Sequence, residues 1–406
     1  MHETRYFIPI VILLGISLGI SFIVSLFKFR LLPTFVFEII VGIALGPVLI
    51  KYFNGNGFSD ITDFLYVIGF SLIMFLSGYD IHLHVFSKKH VTCSYLDIGK
   101  VSFILLGTIY LASIVASIAF IGDFNKILPG IILLTITLSS TFAGVVVPLI
   151  HVEHLHGSTW GKIIITFSFL SELISVVLLT IFMIVYKVTI SNYWSFLAIF
   201  GVFLIVYLLL KIRRGARIEG GMVFFSTKLM LVALFACVIF SELGGGEYVL
   251  GAFLLGFLLR ILDFSEKKMR NIEAIGFGLF IPMFFVIVGI NIDIMTFINN
   301  PKLLLTVLFI FIAFMVTKLP IFILSRWYQK KTVITSWFLI ASTLVVAITA
   351  KHIGHEMHIF SEEFGEALVF ASVLTMIVGP LVFEINCFGP LRNIRTEEKE
   401  ISHAKN

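Results

Sequence analysis

"TITLSSTFAGVVVPLI", from Thr135 to Ile150, places three consecutive hydroxyl residues, Ser139, Ser140 and Thr141, and then Gly144 and Pro148, inside a run that otherwise reads as a membrane-spanning helix. No water reaches the hydrocarbon core, so backbone freed from a helix is tolerated there only when it is buried in protein or lines a cavity. The stretch therefore predicts a helix interrupted at membrane depth.

The rest of the chain suits that reading. It has 406 residues, 59% hydrophobic and only 13% charged, with a mean hydropathy of +1.08, whereas a soluble domain carries about 25% charged residues. An integral membrane protein follows from composition alone, and its long apolar spans make it an all-α one. The first apolar segment, "YFIPIVILLGISLGISFIVSLF", is too long for a signal-peptide core and has no small-residue cleavage site after it, so it reads as the first span. Cys93, Cys237 and Cys387 are too scattered for a disulfide framework or a zinc site and read as small buried residues. The net charge of +5 does not point to nucleic acid, because the basic residues sit in loops between spans.

A span needs about 20 mostly apolar residues. Thirteen segments qualify: 7–27, 34–52, 61–80, 97–121, 128–151, 162–187, 193–211, 222–242, 246–264, 274–291, 303–327, 333–351 and 364–388. With the N-terminus outside, 22 of the 29 Lys and Arg fall on the cytoplasmic side and six outside, leaving Lys318 within a span. The positive-inside rule then gives N-out and C-in. Residues 1–390 form the transmembrane domain, and 391–406 a short cytoplasmic tail.

At 1.5 Å per residue, Ser139–Thr141 lie about twelve residues into their span and Glu172 about ten into the next, both near the bilayer midplane. Lys318 is central but displaced toward the cytoplasmic half. Ser342 and Thr343, in "IASTLVVAITA", sit in the middle of a later span. The two Ser-Thr segments, about two hundred residues apart, suggest an internal repeat with polar interruptions at matching places, the pattern of a transporter binding site at a repeat interface. A charge at a helix centre costs about 2.5–3.5 kcal/mol even on the lenient insertion scale. Glu172 and Lys318 thus read as partners in a cavity, for ion coordination and proton exchange or as a structural salt bridge.

Glu38, Asp80 and Glu384 near cytoplasmic span ends, and Glu242, Glu247 and Asp293 near outer ends, read as interfacial, capping or packing groups. Glu38 and Asp80 are also candidates for the cytoplasmic entrance. "HVEHLH" (His151, His154, His156) inside and "KHIGHEMH" (His352, His355, His358) outside read as solvated loop histidines, with pH sensing or metal binding as the functional alternatives. No nucleophile–base set, P-loop or dinucleotide fingerprint occurs, so an enzyme is not expected, and no cofactor or resident metal.

Five segments, in order, resemble the monovalent cation:proton antiporter-2 family. They are "LPTFVFEIIVGIALGP", "IGFSLIMFLSGYDIHL", "TLSSTFAGVVVPLI", "LGAFLLGFLL" and "PMFFVIVGINIDI". The resemblance implies inverted repeats, two crossed discontinuous helices, and a core beside a dimerisation domain, hence a homodimer. Ser139 to Thr141 would be unwound in the first crossing helix, with Gly144 tolerating the non-helical backbone and Pro148 marking the second half-helix, and Ser342–Thr343 would sit in its mate. The family's adjacent polar pair matches Ser171–Glu172, and its basic residue matches Lys318. The first acid of the pair is replaced here by Ser171.

The resemblance implies a secondary antiporter in the cell membrane, of the bacterial inner-membrane kind, exchanging Na⁺ (or K⁺) for protons by alternating access. Glu172 would bind cation or proton, Ser139, Ser140, Thr141 and Ser171 would offer oxygens, and Lys318 would compensate charge. A single carboxylate implies one-for-one, electroneutral exchange. The alternatives are a non-transporting ion sensor, suggested by the lost acid, and an organic-anion symporter of the same fold.

Overall fold

The structure is a computed structural model that describes residues 4–27, 33–53, 58–79, 98–120, 122, 124–152, 155, 157–186, 201, 204–205, 208, 225–243, 248–262, 264, 266–292 and 294–387. Apart from a single bridge between Phe124 and Phe360, the described residues are helical or irregular. The protein is an all-α multi-pass membrane protein. Among the described residues, ten helices are long and apolar enough to cross a bilayer, and two shorter apolar helices cover 227–241 and 251–261. Of the expected spans, 193–211 lies almost wholly outside the described residues. So do the tail 391–406, His154 and His156, Cys93, Asp80, Glu247 and Asp293; the side chains of His151, Glu242 and Cys387 are likewise outside the description.

The chain divides into two compact units. The first comprises residues 1–26, 37–82 and 180–293. It contains α1 (Thr4–Phe27), α2 (Thr34–Phe53) and α3 (Phe58–Tyr79). Leu13 and Ile20 of α1, Leu49 of α2, and Phe58 and Leu65 of α3 form part of its core. Glu38, read from the sequence as an interfacial, capping or packing group, is buried in α2, where Ser17 of α1 donates to its carboxyl.

In chain order α4 (Ile98–Ile118), α5 (Ile127–Ser139), α6 (Ala143–Val152) and α7 (Thr159–Tyr186) come next. The first unit then resumes with α8 (Phe225–Leu243), α9 (Tyr248–Ile261), α10 (Glu266–Ile275) and α11 (Ile281–Ile290). A π-turn, Gly276–Phe280, separates the last two. Pro282 causes it: the residue has no N–H for the ladder and its ring crowds the carbonyl four residues back, so the turn widens and Ile281 N–H donates to Gly276 O.

Without a hydrophobic drive between helices in lipid, close backbone packing at small residues holds them together. Gly256 of α9 and Gly78 of α3 do this: a β-carbon at Gly256 would overlap the Phe75 carbonyl, and one at Gly78 the Phe253 carbonyl. Because the obstacle is backbone, Gly256→Ala is expected to destabilise the protein by about 1–3 kcal/mol. Thermal unfolding of the detergent-purified variant checks this; an unchanged Tm would mean that the helices do not approach so closely.

The second unit comprises residues 27–36, 83–179 and 294–406. It holds α4 to α6 and α7 as far as Leu179, then α12 (Ile294–Asn299) and α13 (Pro301–Thr317), which tightens into a 3₁₀ segment Leu319–Arg326. There follow α14 (Lys330–Ile340), α15 (Val345–Glu356) and α16 (Glu362–Cys387). The same order thus occurs twice: a helix, a broken helix, a long helix. Outside the break, α5 and α15 are also tied at their far ends, where Asn125 N–H donates to Ile359 O at 2.7 Å and Lys126 Nζ to Met357 O at 2.8 Å.

Candidate functional site

At the first break the hydroxyls bond back along the helix. Ser139 Oγ donates back to Ile136 O at 2.9 Å, and Ser140 Oγ to Thr137 O at 2.8 Å. Such bonds compete with the helical ladder, and at Ser140 the backbone turns extended (φ −65°, ψ 152°). The helix resumes at Ala143. The unwound residues are therefore Ser140 to Phe142; Ser139 is the last helical residue, one position later than expected. Gly144 is helical, contrary to its expected part in the break. A β-carbon there would lie 2.8 Å from the Phe142 ring, so the glycine makes room for that side chain. Pro148 lies within the second half-helix, as expected.

The second break, Ala341 to Leu344 between α14 and α15, meets the first directly. Thr141 Oγ1 donates to Ile340 O at 2.7 Å and Phe142 N–H to Ser342 O at 2.8 Å. Ser140 Oγ and Thr343 Oγ1 share a hydrogen bond of 2.7 Å. Each break thus satisfies backbone groups that the other has freed, which is how irregular chain survives at this depth.

The two charges take opposite ends of the first break. Lys318, fully buried, is the residue at which α13 gives way to the 3₁₀ segment. Its Nζ donates to Ser139 O at 2.5 Å, Ser140 O at 2.7 Å and Thr141 Oγ1 at 3.4 Å. These carbonyls close the C-terminal, negative end of α5. Glu172, 1% exposed on α7, accepts from Ala143 N–H at 2.8 Å through Oε2. Ala143 opens α6, so the carboxylate sits at a positive helix end. Ser171 Oγ donates to Ser139 O at 3.0 Å, the carbonyl that Lys318 also uses.

Every singled-out residue of this set, Ser139, Ser140, Thr141, Ser171, Glu172, Lys318, Ser342 and Thr343, is buried within the second unit. Carboxylate, hydroxyl and carbonyl oxygens around one break suit a hard monovalent cation, which prefers oxygen ligands. Sequence reasoning passed over Thr375 and Gly379 of α16, which touch the second break. A threonine in an apolar helix usually bonds its own backbone, so nothing local marked it. The histidines His352, His355 and His358 lie near the end of α15, and among the described residues no three His, Cys, Asp or Glu side chains gather as metal ligands.

Residues 11–388 match the family profile described as "Sodium/hydrogen exchanger, transmembrane". "Putative Na(+)/H(+) antiporter YjbQ" of Bacillus subtilis is 29% identical over 376 residues, covering 89% of this chain and 60% of that protein. The chain therefore spans about 60% of that relative's length. "Probable Na(+)/H(+) antiporter 3" of Methanocaldococcus jannaschii is 25% identical over 94% of this chain and 96% of its own. The Escherichia coli "Glutathione-regulated potassium-efflux system protein KefC" is 27% identical over 43% of this chain and 28% of its own. The solved structure of the sodium proton antiporter MjNhaP1 from M. jannaschii at pH 8 superposes with a TM-score of 0.62, covering 95% of this chain and 97% of that one at 15% identity. That likeness is one of fold.

Proposed function

The chain belongs to the sodium/hydrogen exchanger family, and on that premise we propose that it exchanges a monovalent cation for protons by alternating access. Na⁺ is the favoured cation, as the names of most of its relatives say of them; the KefC likeness keeps K⁺ as the second candidate. The observation that carries the reading is a buried carboxylate, Glu172, held against the first N–H of a broken half-helix. A charge is kept at that depth only where it has a task and compensating partners.

In this reading Glu172 alternately holds a proton and a cation. Ser171, Ser139, Ser140 and Thr141 lend oxygens, and Ser342 and Thr343 close the site from the second crossing helix. Lys318 steadies the negative end of α5 throughout the cycle. Because Ser171 stands where a second acid would, one carboxyl is contested by one cation and one proton, and the exchange is electroneutral. Residues 1–390 form the transport domain, N-terminus outside and C-terminus inside, and 391–406 a cytoplasmic tail. The protein works in the bacterial plasma membrane as a homodimer built on the first unit. Transported ions are its substrates, and it needs no cofactor.

Proton flux into proteoliposomes, with Na⁺, K⁺ and Li⁺ in turn and the membrane potential clamped, tests the proposal. Na⁺ is expected to dissipate a pH gradient at a rate independent of the potential. A potential-dependent rate would refute one-for-one exchange. No flux with any cation would refute exchange itself and leave the ion-sensor reading.

A further inference from the structure

Glu172 has a counterpart in the second repeat. In the first, a side chain of the long helix α7 accepts a backbone N–H at the break: Ala143 N–H to Glu172 Oε2, 29 residues apart. In the second, α16 does the same: Thr343 N–H donates to Thr375 Oγ1 at 3.3 Å, 32 residues apart. The acid is replaced by an uncharged hydroxyl. That hydroxyl donates its own proton to Ser372 O at 2.6 Å, which turns its lone pairs toward the break.

The same face of α16 is shaped to the break elsewhere. Ser342 Oγ donates to Thr375 O at 3.4 Å. One turn on, a β-carbon at Gly379 would overlap the Ser342 hydroxyl. Ser342, Thr343 and Thr375 are at most 1% exposed, so water cannot replace a lost partner. From Thr343 a short path leads into the site: its hydroxyl bonds Ser140 Oγ at 2.7 Å, and the Ser140 carbonyl holds Lys318 at 2.7 Å.

We propose that Thr375 is a positioning residue for cation binding. By holding the Thr343 backbone it aims the Thr343 hydroxyl at Ser140, and so sets cation affinity without changing its own charge. This rests on the exchange reading above. An apolar side chain of equal shape would leave the Thr343 N–H unsatisfied in a dry place, which costs far more than a bond exchanged with water. The second break would then shift, and the hydroxyl with it.

Thr375→Val and Thr375→Ser, reconstituted beside the natural protein, provide the test, read as KM for Na⁺, maximal rate and the rise in Tm on adding Na⁺. Thr375→Val is expected to raise KM about tenfold, in line with the loss of one buried hydrogen bond, with the maximal rate within about twofold. The Na⁺-dependent Tm rise should shrink in parallel. Thr375→Ser, which keeps the hydroxyl, should restore both. An unaltered KM in Thr375→Val overturns the inference, as does a Thr375→Ser protein impaired equally, because the methyl group rather than the hydroxyl would then matter. If Thr375→Val does not fold, Thr375→Cys keeps the volume with a weak acceptor and carries the same expectation: a raised KM supports the inference and an unaltered one overturns it. A natural protein that neither exchanges nor gains stability from Na⁺ would overturn the exchange reading and this inference together. Exchange with equal KM in all variants would overturn this inference alone.

Discussion

Glu172→Gln is expected to reduce cation-dependent proton flux to that of protein-free liposomes while leaving the protein folded. The amide oxygen can still accept the Ala143 N–H that Oε2 accepts now at 2.8 Å. The structural cost is then the difference between a charged and a neutral hydrogen bond, about 1 kcal/mol. The functional cost is complete, because an amide neither releases a proton near neutrality nor neutralises a cation. Glu172→Asp separates the two roles further: it keeps the charge but withdraws it by one methylene from the break. Reduced exchange with an altered KM is expected there, since cation ligands act within a few tenths of an ångström. Flux, KM and Tm on the same preparations check all three. Exchange retained in Glu172→Gln would remove this carboxyl from the mechanism, and a collapse of Tm would show that its role is structural.

The sequence revealed the residues that break a rule and hid those that obey one. Glu172 and Lys318 stood out because a charge in an apolar run has no cheap explanation. Ser139 to Thr141 and Ser342–Thr343 stood out because hydroxyls and small residues interrupted two similar spans. The exact limits of the first break did not show. Ser139 keeps helical geometry although its hydroxyl is bonded backward, and Phe142 is unwound although its side chain is apolar. Which residue leaves the ladder is decided by where Phe142 N–H finds a partner, and that partner, Ser342 O, is two hundred residues away. Gly144 differs for a local reason: it stays helical and makes room for the ring of Phe142, two residues before it. Thr375 and Gly379 gave no signal at all. Their part depends on α16 lying beside the second break, which follows from tertiary packing and not from any local pattern. For Glu38 the sequence leaves interfacial, capping and packing parts open, and its burial against α1 selects packing.

The second large effect concerns Lys318. Its ammonium could serve chiefly the carboxylate of Glu172 or chiefly the carbonyls that end α5, and the hydrogen bonds favour the carbonyls. Nζ reaches Ser139 O and Ser140 O at 2.5 and 2.7 Å, the groups left without ladder partners by the break. Ser171 adds only one further donor, at 3.0 Å to Ser139 O. Lys318→Met keeps the chain's length and apolar stem but abandons the buried Ser140 carbonyl and leaves Ser139 O to Ser171 alone. Loss of two charge-assisted bonds, each worth about 1.5–3 kcal/mol, is expected to lower stability by roughly 3 kcal/mol or more. The Tm of the purified protein should fall by many degrees, and exchange should fall with it because the break loses its shape. A double-mutant cycle with Glu172→Gln decides between the two tasks. If the ammonium mainly closes the helix end, the fall in Tm is nearly the same in either background. If it mainly balances Glu172, neutralising that carboxyl first removes the need for it, and the second substitution becomes almost silent. Nearly additive losses are expected, and a silent second substitution would overturn the account of Lys318 as the clamp on the broken end of α5.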